Sequence, residues 1–280
     1  MAKADLHIHT LASDGKCSPE EVVRLAAENN LSTIAITDHD TYKGYFKARE
    51  AGDEYGVRII PGVEITTDYN DRECHILAYA FDIGHSGFKQ KLAEQRLIRV
   101  ERSKKMVKNL NKLGFDIDYD EVLGEAGAAN ISRVHIARLM LKKGYAGSIQ
   151  EVFDRYLGND KPGYFKSDYT SAEDVISLIH EAGGVAILAH PGLFYLWEDL
   201  RFFLNNGIDG IEYIHPTHNF DLQKKYKTWA ENFKLLISGG SDFHGRQRDY
   251  YHFGNVTVDE SYADAILAKA ANYKQSEMKK

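Results

Sequence analysis

Histidines and carboxylates recur along this 280-residue chain in short clusters, and that mixture of side chains is what divalent cations bind. The clusters are Asp5-Leu6-His7-Ile8-His9, Thr37-Asp38-His39-Asp40, Gly62-Val63-Glu64, Cys74-His75, Ala189-His190-Pro191, Ile214-His215-Pro216-Thr217-His218 and Ser241-Asp242-Phe243-His244. Side chains at i and i+2 of a strand share a face, so His7 and His9 can serve one ion, and Asp242 with His244 repeats the spacing. A lone His-x-His pair also fits core or solvated imidazoles, and Asp38-His39 or Asp242-Phe243-His244 alone would serve as helix caps or loop hydrogen-bonders. Taken together the clusters favour metal binding, because buried ionisable groups are costly unless paired or ligated. The donors are nitrogen and oxygen without thiolate, which suits manganese, zinc or iron.

Each cluster falls near the end of a segment that reads as a strand. Lys3–Ile8, Thr33–Thr37, Val57–Ile65 and Cys74–Ala80 are the first four, with helices after the cap Ser18-Pro19-Glu20-Glu21 and near Tyr42–Tyr55. Val185–Ala189, Ile208–Ile214 and Lys234–Ser238 follow later, and Val256 and Val258 mark a short last strand. Thr170-Ser171 caps a helix through Glu181, Leu222–Asn232 is another, and Lys279-Lys280 reads as a frayed end. Between the two groups of strands, residues 89–165 are helical, with Ala93–Leu113, Val134–Lys143 and Ile149–Leu157 separated by glycines. The chain therefore divides into a first β/α part (1–88), a helical insertion (89–165) and a second β/α part (166–280). Repeated β-α units imply a parallel sheet covered by helices, either a barrel or an open sheet, whose strand ends converge on one mouth. In the fourth strand His75 shares a face with Leu77 and Tyr79, which places Cys74 on the opposite, core side.

Composition narrows the function classes. The formal charge of -6 argues against capture of long duplex nucleic acid, although bound cations would still admit a short phosphorylated substrate. The mean hydropathy of -0.43, the lack of a run of roughly 18 apolar residues and an N-terminus carrying Asp5 in place of a signal-peptide core indicate a cytoplasmic protein. Two cysteines, Cys17 and Cys74, make no disulfide framework. Nothing implies an obligate protein partner.

The order His7-Ile8-His9-Thr10, Thr37-Asp38-His39, Glu64, His75, His190 and Asp242-Phe243-His244 resembles the PHP (polymerase and histidinol phosphatase) family, over residues 5 to about 245. It is most similar to the stand-alone bacterial branch that acts on nucleotides and short oligonucleotides. That branch carries a helical insertion, echoed here by Ser132-Arg133-Val134-His135-Ile136-Ala137-Arg138 and Tyr156-Leu157-Gly158. The resemblance implies an α/β fold, a distorted seven-stranded β/α (TIM-like) barrel with an inserted helical subdomain. It further implies two or three divalent metal ions: His7, His9, Glu64 and Asp242 at the first site, Glu64, His75 and His190 at the second with Glu64 bridging, and Asp14, His39 and His244 at the third. Many members carry histidine at the position of Asp14, and the insertion motif usually begins Gly-Arg-Pro-His where this chain has Ser132 and Val134.

The expected activity is phosphoester hydrolysis by hydroxide attack on phosphorus, with Glu64 and Asp242 at the reacting centre. Arg133 and His218 are the candidate phosphate contacts, the latter also catalytic, and His215 ranks below His218. Arg133 would otherwise be a surface arginine at a helix start. Asp5 and Asp38 are candidates to orient ligand imidazoles. Competing readings are a histidinol-phosphate-type phosphatase, a metal-dependent amidohydrolase and a non-catalytic metal-binding module. The second commonly uses a bridging lysine, and no lysine stands at a comparable strand end.

Overall fold

The computed structural model describes residues 2–193 and 195–277, so Lys279 and Lys280 lie outside the described residues. Among the described residues, β1 (Lys3–Ile8), α1 (Pro19–Glu28), β2 (Leu31–Ile36), α2 (Lys43–Tyr55), β3 (Arg58–Tyr69) and β4 (Arg72–Tyr79) form the first part. The helices α3 (Ser86–Lys112), α4 (Tyr119–Ala126), α5 (Arg133–Lys142) and α6 (Ile149–Val152) follow, the last running into a π-helical turn at Phe153–Leu157. Then come α7 (Ala172–Glu181), β5 (Val185–Leu188), α8 (Trp197–Asn205), β6 (Gly210–Ile214), α9 (Phe220–Phe233) and β7 (Leu236–Gly239). The chain ends in α10 (Asp249–His252), β8 (Val258–Asp259) and α11 (Glu260–Glu277).

One sheet carries all eight strands in the order β7-β6-β5-β4-β3-β2-β1-β8. Seven of them form the ring, and β8 pairs antiparallel with Lys3 and Ala4 at the start of β1. Beyond β7 the ring closes on the other end of β1, where Ile8 bridges Phe243 and His9 N–H donates to the Phe243 carbonyl at 2.8 Å. Tyr79 spans the interior from β4, its hydroxyl donating to the Leu6 carbonyl at 2.7 Å.

The expectation of a purely parallel ring is corrected at β4, which runs antiparallel to both β3 and β5. A two-residue turn, Asn70-Asp71, joins it to β3, and both residues have positive φ (48° and 63°), as hairpin turns that match strand twist require. Because β4 is reversed, its beginning lies at the mouth, and that is how His75 reaches the other clusters. Leu77 and Tyr79 join the cluster that contains Ile187 and Val185, whereas Cys74, Ile76 and Ala78 pack with Val175, Ile176 and Ile179 of α7.

Helix α3 begins at Ser86, earlier than the periodicity predicts, because His85 caps it by accepting from Phe88 N–H at 3.1 Å. Its first turns pack Phe88 and Leu92 on the barrel, while Met106, Val107 and Leu110 belong to a separate apolar cluster with Ile136, Met140, Val152 and Leu157. Helix α11 packs against β1, β2, β4, β5, β7 and β8, strands from all round the ring. One helix can touch them all only at an end of the barrel, and Ala263, Ile266 and Ala270 close that floor away from the mouth.

Candidate metal centre

The strand ends bring the scattered donors to one place. Glu64, 1% exposed, divides them between its two oxygens. Its Oε2 lies 3.4 Å from His7 Nε2, 3.2 Å from His9 Nε2 and 3.1 Å from His39 Nδ1. Its Oε1 lies 2.7 Å from His75 Nδ1 and 2.8 Å from His190 Nε2. Asp242 meets the same two rings, Oδ1 being 3.5 Å from His7 Nε2 and 3.2 Å from His9 Nε2. Asp14 Oδ1 is 3.3 Å from His244 Nε2, and ligand atoms of His9, Asp14, His39 and His244 all fall within 4.8 Å of one another.

The outward nitrogens are fixed by hydrogen bonds that turn the other ring nitrogens inward. His7 Nδ1–H donates to Glu212 Oε1 at 2.9 Å, and Glu212 Oε2 accepts the His190 N–H at 2.7 Å. His9 Nδ1 meets Ser13 Oγ at 3.5 Å, and that hydroxyl donates to Asp38 Oδ1 at 2.6 Å. His244 Nδ1–H donates to the Asp242 carbonyl at 2.8 Å. His75 Nε2 faces Glu73 Oε1 at 3.4 Å. Positioning of this kind selects the tautomer a cation needs.

The donor set fits divalent metal on a direct observation. His7 Nε2, His9 Nε2, Asp14 Oδ1, His39 Nδ1 and His215 Nε2 are buried and lack hydrogen-bond partners among the described residues. Buried polar atoms left so are costly unless something charged sits among them. The charges agree. Burial works to raise Glu64, Asp14 and Asp242, yet the surrounding imidazoles hold all three well below the usual carboxylate range. Burial likewise lowers His7 and His9, but carboxylates overcome it, holding His7 well above its ordinary value and His9 at about 10.

Several expectations change in detail. Asp5 orients no imidazole: it accepts from Ser241 N–H and Oγ–H and from His7 N–H, tying β1 to the segment after β7. Asp38 reaches His9 only through Ser13 and otherwise holds Thr10. His218 has both ring nitrogens occupied, Nδ1–H by the Tyr213 carbonyl (2.9 Å) and Nε2 by Gly192 N–H (3.1 Å). His215, ranked below it from sequence, lines a mouth cavity with His190 and Asp242 and places Nε2 3.6 Å from Asp242 Oδ2. Arg133 Nη2 donates to Glu73 Oε1 at 3.0 Å, one carboxylate away from His75. Ser132 caps α5 and its hydroxyl also donates to Asp14 Oδ2 at 3.2 Å, so the insertion touches the cluster directly.

Sequence reasoning missed Glu212 and Glu73. A carboxylate inside the apolar run Gly210-Ile211-Glu212 was the available signal, since a fully buried one needs a partner. Glu73, in an exposed-looking hairpin, carried none.

Imidazoles and carboxylates converging at the mouth of a β/α ring make the site of a metal-dependent hydrolase, and similar proteins define the bond it cleaves. The chain is 35% identical to the 5'-3' exoribonuclease Rnm of Escherichia coli over 86% of its length and 84% of that protein. It is 33% identical to the 3',5'-nucleoside bisphosphate phosphatase of Chromobacterium violaceum over 87% of its length and 88% of that protein. A solved structure from Bifidobacterium adolescentis, inferred to be a metal-dependent phosphoesterase, superposes with a TM-score of 0.88 at 30% identity, covering 95% of this chain and 96% of that one. An amidohydrolase structure from Chromobacterium violaceum with bound sulfate and no metal gives 0.84 at 32% identity, covering 92% of each. The protein is a metal-dependent phosphoester hydrolase. The PHP domain model matches residues 5–187, and the chain belongs to that family. No helix among the described residues is long and apolar enough to cross a membrane.

Proposed function

We propose that this chain is a cytoplasmic enzyme that hydrolyses phosphate esters of nucleotides: a nucleoside monophosphate, a 3',5'-bisphosphate or the end of a short oligonucleotide. The observation that carries the reading is the placement of Glu64, with one oxygen among His7, His9 and His39 and the other between His75 and His190. His7, His9, Glu64 and Asp242 would hold one cation, Glu64, His75 and His190 a second, and Asp14, His39 and His244 a third, each manganese, zinc or iron. When bound, these cations supply Lewis-acid polarisation of the phosphoryl oxygen and neutralise transition-state charge.

The chain's own residues do the remaining work. Glu64 sets the spacing between neighbouring sites, and Glu212, Ser13 and Glu73 keep the imidazole planes in place. Asp242, whose side chain is 31% exposed, faces the open side where a phosphate enters. Thr217 N–H donates to His215 Nδ1, which turns Nε2 toward Asp242, where it can offer a hydrogen bond to a phosphate oxygen. His218 acts at one remove, fixing the Gly192 turn that follows His190. Arg133 brings a cation from the insertion (89–165), which serves as the lid. The named activities of the exoribonuclease and bisphosphate phosphatase relatives support the nucleotide class.

The test is a manganese-supplemented panel of nucleoside monophosphates, bisphosphates, short oligoribonucleotides and amide substrates, with metal content measured in parallel. Phosphate release is expected, and Glu64→Ala should lower kcat/KM by at least about 10²–10³-fold with the fold intact by circular dichroism. Ammonia release without phosphate release, or near-normal turnover in that variant, would overturn the reading.

A further inference from the structure

The arginines around the mouth are not equivalent. Arg99 pairs with Asp40, and Arg102 and Arg133 both pair with Glu73, so each of these guanidinium groups already has a carboxylate. Arg138 donates Nη2 to the Asp14 carbonyl at 2.6 Å. Arg246 has neither kind of partner. Among the described residues its side chain makes no hydrogen bond or ion pair, and its Nε is buried and unsatisfied. The loop that carries it is nonetheless fixed, since Asp249 Oδ2 accepts the backbone N–H of both His244 (3.1 Å) and Arg246 (3.0 Å). Asp249 therefore holds the Arg246 backbone without neutralising its head group.

Position gives this unpaired cation a meaning. An inner cavity of about 210 Å³ is walled by Asp14, His39, His75, Asp242 and His244 of the metal centre. An outer cavity of about 750 Å³ is walled by Ile149, Gln150, Gln247 and Arg248. Val134, Phe153 and Arg246 wall both, so Arg246 stands on the threshold between them. A guanidinium partly withdrawn from water without a counter-charge is costly, and its planar fork matches two oxygens of a phosphate.

We propose that Arg246 is a specificity residue that receives a second, uncleaved phosphate of the substrate at this threshold. Substrates with two phosphate groups, a nucleoside bisphosphate or an oligonucleotide whose next phosphodiester reaches out of the inner cavity, are thereby preferred over monophosphates. The inference rests on reading the inner cavity as the place where a nucleotide phosphoester is cleaved. Arg133, the cation singled out by sequence, is already held by Glu73, and the outer anion falls instead to a residue two positions beyond the Asp242-Phe243-His244 segment.

The experiment compares manganese-loaded wild type, Arg246→Ala and Arg246→Lys on adenosine 3',5'-bisphosphate and on adenosine 3'- and 5'-monophosphates. The ratio of kcat/KM for bisphosphate over monophosphate should fall about tenfold or more in the alanine variant, mainly through KM, and recover in part with lysine. Equal metal content and Tm in all three would show that the cluster and fold are intact. Independently of turnover, calorimetric binding of the bisphosphate to metal-stripped protein should weaken by a similar factor in Arg246→Ala. An unchanged ratio, or an equal loss on all substrates, overturns the role of Arg246. If the wild type cleaves none of these compounds, the nucleotide reading fails, and the binding arm still decides: equal Kd values for wild type and variant overturn the anion site.

Discussion

An imidazole that coordinates a cation must be neutral, and carboxylates raise three of these rings above their ordinary values. Burial pulls each one down, but carboxylates outweigh it: Asp242 and Glu64 take His9 to about 10, Glu64 and Glu73 take His75 to about 9, and Glu212 leads for His7. Because these values are raised, protons compete with an incoming cation for the ring nitrogens at neutral pH. Metal uptake at neutral pH should therefore release protons, and affinity should climb as pH rises toward those values. Metal titrations in buffers of differing ionisation enthalpy measure this, and binding with no proton release would contradict it. At this scale the sequence was legible wherever a residue type is rare in its setting: His-x-His at a strand end, or Asp-x-His beyond one. It was opaque where a common residue acquires its role from neighbours distant in the chain. Glu73 looks like a surface glutamate until folding sets His75, Arg102 and Arg133 around it.

Among the elements, the strands were readable because apolar runs bounded by turn residues leave few alternatives, and the ligand-bearing ends followed from them. Strand direction was not readable in that way. The Asn70-Asp71 turn that reverses β4 is a two-residue signal between runs whose separation also suited a longer connection. The early start of α3 was hidden for a similar reason, a histidine being an uncommon cap. That helix is pinned to the barrel by Arg99, which pairs with Asp40 and bonds Thr66, while Asp40 Oδ1 accepts Thr66 N–H at 3.0 Å. Asp40 is fully buried, so Arg99→Met would leave a carboxylate without its counter-charge. Denaturant titration should show a loss of about 3–5 kcal/mol, and adding Asp40→Asn should recover part of it. A loss below about 1 kcal/mol would mean the pair only decorates the junction.

Across the whole molecule, the reacting groups gather at one end of the barrel and α11 seals the other. Ile266 is fully buried in that seal, against a cluster that includes Leu6, Leu77 and Ile187. Ile266→Ala should cost about 2–5 kcal/mol of stability yet leave turnover per folded molecule near wild type. A matched fall in kcat at temperatures where the variant is fully folded would show that floor and mouth are coupled. The reversed strand carries a different consequence. Pairing of Thr66 with His75 and of Thr67 with Cys74 is dictated by the turn, not by any crossover helix. Sliding β4 one place along β3 would send His75 to the outer face and bring Cys74 inward. That short bend thus decides whether the cluster is offered nitrogen or sulfur at this position, and with it how soft an ion the pocket would welcome.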